Sequence, residues 1–140
     1  MRSTHEQNLV DKFNAQAPKF LQMLGARLLT VDIEAQSCTF EFNVSTDFCH
    51  SVDIVQGGFT TAMLDAAMSH AMFACEDNVK AVSSLEIKTS YPDVTRAGLL
   101  RAEGRIVKAG YRTAFLEGSL YNAEGVLSAT ASTVAKISRK

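Results

Sequence analysis

The chain has 140 residues, 46% of them hydrophobic and 21% charged, with Pro 2 and Gly 8. That composition suits one ordinary folded core and excludes a disordered, fibrous or low-complexity chain. Basic and acidic side chains nearly cancel, 14 against 15, with no block of like charge, which excludes a general nucleic-acid binder and leaves recognition to a local site.

The opening residues, MRSTHEQNLVDKFNAQ, hold no apolar secretory segment. Cys38, Cys49 and Cys75 are odd in number and lack Cys-x-x-Cys spacing, so a cytoplasmic setting and no metal site are expected. No uninterrupted apolar run reaches the ~18 residues of a membrane span. Glu6 to Asn14 reads as a short helix with Leu9, Val10 and Phe13 on one face, and Pro18 restarts the chain before Phe20, Leu21 and Leu24. Ala26 to Ile33 and Ser37 to Val44 read as strands joined by a turn at Glu34 to Gln36; in the second, Cys38, Phe40, Phe42 and Val44 alternate with polar residues.

Thr46 to Val55 is polar and irregular, and leads into Gln56-Gly57-Gly58. From Gly58 to about Cys75 the run of Ala, Met and Leu favours helix, and it is apolar nearly all round, so other elements must wrap it. Four strand-like runs follow, Lys80 to Tyr91, Gly98 to Lys108, Tyr111 to Asn122 and Val126 to Ile137. They are separated by turns at Pro92 to Ala97, Ala109-Gly110 and Asn122 to Gly125. The order predicts a single α+β domain over residues 1–140, a curved antiparallel sheet wrapped around a long central helix, which is the hotdog fold.

Two features of the long helix carry chemistry. Gly57 and Gly58 stand at its start, where N–H groups lack intrahelical partners and the dipole is positive, so a carbonyl oxygen or oxyanion can be held there. Two glycines also serve simply as a loop-to-helix entry. Asp65 lies among Leu64, Ala66 and Ala67, where an unpaired carboxylate is costly; it is either bonded to a neighbouring group or functional. Eight residues of helix separate Gly57 from Asp65 by roughly 12 Å, so one chain's pair cannot both reach one carbonyl.

The segment from His50 through Gln56-Gly57-Gly58 to Asp65 resembles the hotdog-fold acyl-CoA thioesterases of the phenylacetate-pathway and 4-hydroxybenzoyl-CoA type. In that family a polar residue, then commonly His-Gly-Gly, precedes a helix with an acid seven positions after the second glycine. The stretch Lys108-Ala-Gly-Tyr-Arg112-Thr113 is similar as well. This chain departs from the pattern in having Gln56 before the glycines and His50 where many members have Asn or Gln.

The resemblance implies hydrolysis of an acyl-CoA or related thioester. Gly57 N–H would polarise the carbonyl, and Asp65 would act as general base toward water or as nucleophile. His50 and Gln56 would position water or substrate. Ser83 and Ser84 open the strand after the helix, and Ser84 matches a Ser or Thr that assists the acid. Gly58, Ser83, Lys88, Lys108 and Arg112 would bind substrate, the three cations at the coenzyme phosphates. Coenzyme A is then part of the substrate, and no separate cofactor is implied. Sites in the family form between two antiparallel helices, so a homodimer, or a dimer of dimers, is expected.

Two other readings compete. An enoyl-CoA hydratase-type enzyme would pair Asp65 with His70, but five residues place them about 140° apart round the helix. A non-catalytic acyl-CoA-binding dimer is the second. Cys49 beside His50 is weak ground for a nucleophile, because sequence adjacency is not spatial pairing.

Overall fold

The computed structural model describes residues 3–140, so Met1 and Arg2 of the expected 1–140 domain lie outside the described residues. Helix α1 (Thr4–Ala15) starts earlier than its apolar pattern suggests because a capping box fixes its entry: Ser3 Oγ accepts from Glu6 N–H and Glu6 Oε1 accepts from Ser3 N–H. Glu6 Oε2 also accepts from Ile33 N–H at 2.9 Å, tying the helix to the first strand hairpin. These backbone bonds hold the Glu6 carboxyl below its ordinary pKa. Pro18 caps the short α2 (Lys19–Met23).

Strands β1 (Ala26–Asp32) and β2 (Ser37–Val44) form the expected hairpin. The stretch expected to be wholly irregular contains a 3-10 turn at Thr46–Phe48 and a small antiparallel pair, β3 (Cys49–Ser51) with β4 (Ile54–Val55). The long helix α3 (Gly57–Cys75) begins one residue before the predicted Gly58. Strands β5 (Val79–Ser90), β6 (Gly98–Ala109), β7 (Thr113–Tyr121) and β8 (Leu127–Arg139) complete a six-stranded antiparallel sheet in the order β1-β2-β6-β7-β8-β5. The sheet packs around α3 in the hotdog arrangement. Among the described residues, no helix is long and apolar enough to cross a membrane.

The seat of the helix is a row of small residues running across the strands. In register, Cys38 lies beside Gly104, Gly104 beside Gly118, and Gly118 beside Ala131. A β-carbon on Gly104 would overlap the Ala67 carbonyl and crowd the Met68 amide, so helix and strand meet backbone to backbone. Gly118 lies under Met68 and Leu64, and the Cys38 thiol donates to the Ala67 carbonyl at 3.3 Å. Met63, Leu64, Ala67, Met68, Ala71 and Met72 are fully buried along this contact.

Gly104→Ala is therefore expected to destabilise the protein by about 2–3 kcal/mol through forced separation of α3 from β6. Gly110→Ala meets only the Thr113 carbonyl, at 3.5 Å, and should stay near wild type. Denaturant midpoints of the two variants check the contrast.

Candidate active site

The N-terminus of α3 is held by two loops. Val55 N–H donates to Thr95 O at 2.8 Å, Gln56 N–H to Phe48 O at 2.9 Å, and Ala97 N–H to Asp53 O at 2.8 Å. Phe48 packs edge-on against Phe59, ring centres 4.9 Å apart. Segments 46–56 and 91–97 thus lash the first turn of the helix in place.

Gln56 is the N-cap of that helix. Its Oε1 accepts from Gly58 N–H at 2.8 Å and Phe59 N–H at 3.3 Å, and its main-chain carbonyl accepts from Phe59 and Thr60 N–H. Of the first four helical N–H groups, only that of Gly57 has no acceptor among the described residues. The cap leaves the one donor that the sequence singled out, and it engages the Gly58 N–H that was also a candidate for substrate. Gly57 needs its missing side chain for space, because a β-carbon there would lie 3.0 Å from the Tyr91 hydroxyl.

Tyr91 was not legible as a site residue; in the sequence it only ends a strand run before Pro92. Its hydroxyl donates to the Gly57 carbonyl at 2.9 Å. It must then accept from Thr61 Oγ1 at 3.1 Å, which in turn accepts from Thr89 Oγ1 at 2.8 Å. This relay fixes the end of β5 against the first turns of α3.

Around Gly57 opens a cleft of about 750 Å³, with His50, Gln56, Gly57 and Gly58 on one side and Tyr91 to Thr95 on the other. His50 is exposed, with Nδ1 2.8 Å from Ser51 Oγ. Four predicted residues therefore meet at one cleft.

Asp65 lies on a flank of α3 beside β5, half-buried, and Ser84 Oγ–H donates to its Oδ1 at 2.8 Å. Ser84 sits in mid-strand, not at the strand's opening: β5 begins at Val79. A register shift between Ser84 and Glu86 marks a bulge there. Since Ser84 faces the helix, its neighbour Ser83 faces the other side of the sheet, as does Lys88, which is paired with Ser132.

Lys108 and Arg112 lie at the opposite end of the sheet from Gly57 within one chain. The intervening Gly110 and Tyr111 carbonyls are bound by Arg139, which also reaches Asp77 and Glu76 just beyond the C-terminus of α3. One chain thus does not gather the three predicted cations at the Gly57 cleft.

His70 points away from Asp65. Its Nδ1–H donates to Ala66 O at 2.9 Å, and its ring sits among Phe13, Phe40 and Phe73. Burial there holds the imidazole pKa below its ordinary value. The Asp65–His70 pair needed by the hydratase reading does not form. Cys38 is buried with its thiol pKa pushed up by desolvation, and Cys75 is pushed up to about 11 for the same reason, so neither is a ready thiolate. Among the described residues, no group of three or more His, Cys, Asp or Glu is placed to hold a metal ion.

A family model described as the thioesterase superfamily matches residues 53–129, more than half of the chain and the whole span from the Gly57 cleft to the start of β8. The chain belongs to the thioesterase superfamily. Among solved structures it is similar to a phenylacetic acid degradation-related protein of Ralstonia eutropha, with 28% identity, 91% of this chain and 98% of that chain covered, and a TM-score of 0.82. A thioesterase of Haemophilus influenzae shares the fold at 15% identity, with 99% and 93% covered and a TM-score of 0.80. The PaaI protein of the E. coli phenylacetic acid degradation operon shares it at 14% identity, with 96% and 95% covered and a TM-score of 0.82. No curated protein matches the chain.

The capping role makes a stability prediction for this superfamily member. Gln56→Ala should lower unfolding free energy by about 1 kcal/mol, the usual worth of an N-cap, as measured by urea denaturation.

Proposed function

We propose that the protein hydrolyses an acyl-CoA, or a related acyl thioester, to the free acid and coenzyme A at a site shared by two copies of the chain. Membership of the thioesterase superfamily supplies the reaction class. The observation that carries the reading further is the unclaimed Gly57 N–H at the mouth of a cleft, on the same helix as a carboxylate already oriented by Ser84.

In this reading Gly57 N–H donates to the thioester oxygen and stabilises the oxyanion that forms as water adds to the carbonyl carbon. Asp65 takes the proton from that water; Ser84 holds Oδ1 and leaves Oδ2 to do so. Collapse of the intermediate breaks the carbon–sulfur bond, and the departing thiolate takes up a proton. His50 and the Nε2 amide of Gln56 border the cleft as donors to substrate. In an alternative route Asp65 attacks the carbonyl itself. That attack expels the thiolate and leaves a mixed anhydride, which water opens; in a single turnover in ¹⁸O water, unlabelled product acid with ¹⁸O in Asp65 shows opening at the aspartyl carbon and excludes the general-base route.

Asp65→Asn is expected to lower kcat by at least about 100-fold with little change in KM, and Ser84→Ala by about tenfold, in a thiol-release assay over aryl-, short- and medium-chain acyl-CoAs. Near-normal turnover by the Asn variant would exclude the mechanism. Measurable binding with no turnover by the wild type would favour the acyl-CoA-binding dimer instead.

Sharing follows from the helix. Gly57 and Asp65 are roughly 12 Å apart along α3, so Asp65 of one chain must serve Gly57 of the other. In an antiparallel pairing, Lys108 and Arg112, near the far end of one chain's helix, approach the coenzyme at the other chain's cleft. Gly57→Val and Asp65→Asn should each be inactive alone, the first because its side chain meets Tyr91. Co-expressed, they should recover roughly a quarter of wild-type activity, because each mixed dimer keeps one intact site. A mixture as inactive as its components would place the whole site within one chain.

A further inference from the structure

Thr60 is 1% exposed and lines the cleft beside Gly57, and its Oγ1 is the buried side-chain polar atom that finds no hydrogen-bond partner among the described residues. A threonine inside a helix ordinarily turns its hydroxyl back to the carbonyl four residues earlier. Here that carbonyl belongs to Gln56 and already accepts from Phe59 N–H and Thr60 N–H. The neighbouring Thr95, also buried in the cleft wall, differs: its hydroxyl donates to Ser128 Oγ at 3.0 Å, and Ser128 in turn donates to the Leu120 carbonyl. Ile54, Val55 and Val94 line the same cleft. A buried hydroxyl without a partner is costly in the free protein and favourable to any ligand that satisfies it.

We propose that Thr60 is a specificity-determining residue whose hydroxyl binds an oxygen on the acyl chain, so that the enzyme selects hydroxy- or oxoacyl thioesters over unsubstituted ones. The inference rests on the hydrolase reading, which places the thioester oxygen at Gly57 N–H. Gly57 and Thr60 stand three residues apart in the first turn of α3, so a thioester whose oxygen meets Gly57 N–H brings an oxygen two or three carbons along its acyl chain toward Thr60. An acyl chain lacking it would leave Thr60 unpaired, and sites built to bond a substrate oxygen reject such analogues strongly.

The test compares butanoyl-CoA with 3-hydroxybutanoyl-CoA, and the wild type with Thr60→Val and Thr60→Ser. The wild type should favour the hydroxylated thioester by at least about tenfold in kcat/KM. Thr60→Val should bring the ratio close to one, with the greater loss on the hydroxylated substrate, while Thr60→Ser keeps the preference. The Val variant, freed of an unsatisfied hydroxyl, should also melt a few degrees higher than the wild type without ligand. A wild type that does not prefer the hydroxylated thioester, an unchanged ratio in Thr60→Val, equal losses on both substrates, or a Val variant that melts lower or fails to fold would overturn the proposal. If neither thioester is hydrolysed, the hydrolase reading fails separately. Calorimetric binding of the two dethia ketone analogues, in which CH₂ replaces the thioester sulfur, then decides Thr60: equal affinity for both by the wild type overturns its role.

Discussion

The backbone contact between α3 and β6 is the constraint on which the rest of the molecule depends. A helix crossing a sheet normally stands off by the length of two side chains. Here Gly104 and Gly118, flanked by Cys38 and Ala131, remove that layer, and Ala67 removes it from the helix. The approach fixes the rotation of α3 as well as its depth. With Leu64, Ala67, Met68 and Ala71 turned to the sheet, residues about 100° to either side must emerge on opposite flanks. Asp65 emerges toward β5 and meets Ser84; His70 emerges toward α1 and meets Phe13. One seat thus separates a carboxylate with a polar partner from an imidazole in an aromatic surround.

The bulge in β5 completes what the rotation begins. Strict alternation from Ser84 would turn Glu86, Lys88 and Ser90 toward the helix. The extra residue at Leu85 resets the phase, so that Ile87 and Thr89 face inward and the charged residues face out. Thr133 Oγ1 donates to the Glu86 carbonyl at 2.6 Å, supporting the irregular strand from β8. Two contacts rely on this shift: Ser84 with Asp65 before it, and Thr89 with Thr61, the residue that also bonds Tyr91, after it. The flank carrying Asp65 and the turn carrying Gly57 are therefore positioned by the same strand.

Much of this was legible in the sequence, where local pattern and tertiary environment agree. Ser37–Val44 was read to the residue because its alternation is strict and one face is buried. The run of Ala, Met and Leu announced a wrapped helix, and Asp65 stood out as its one acid. What escaped depends on distant partners. Glu6 adds a bond to Ile33, Tyr91 reaches back to Gly57, and Thr60 matters through a bond it does not make. The direction of Lys88 was not legible, because the bulge changes the parity of β5. A signal was present: Ser84, Glu86 and Lys88 share one parity with Val82, while Ile87 and Thr89 share the other, and no single register buries both apolar sets. Gln56 reads in sequence as a replaced family residue, yet its carboxamide caps the helix, a function that keeps Gly58 N–H occupied and Gly57 N–H free.

The proposal of a shared site draws on the same economy. Wrapping by one sheet covers the inward face of α3 but leaves the stripe from Gly58 through Thr61, Ala62 and Asp65 to Ser69 only partly covered. Beside that stripe β5 is the last strand of the sheet, twelve residues long. A long edge with unpaired main-chain groups is a liability that folds usually blunt or cover. A second copy laid antiparallel would cover the stripe and extend the sheet edge together, while carrying its carboxylate across the distance that one helix cannot close. The chemistry and the exposed surface then ask for the same partner, and a smaller lid over the cleft would satisfy only one of them.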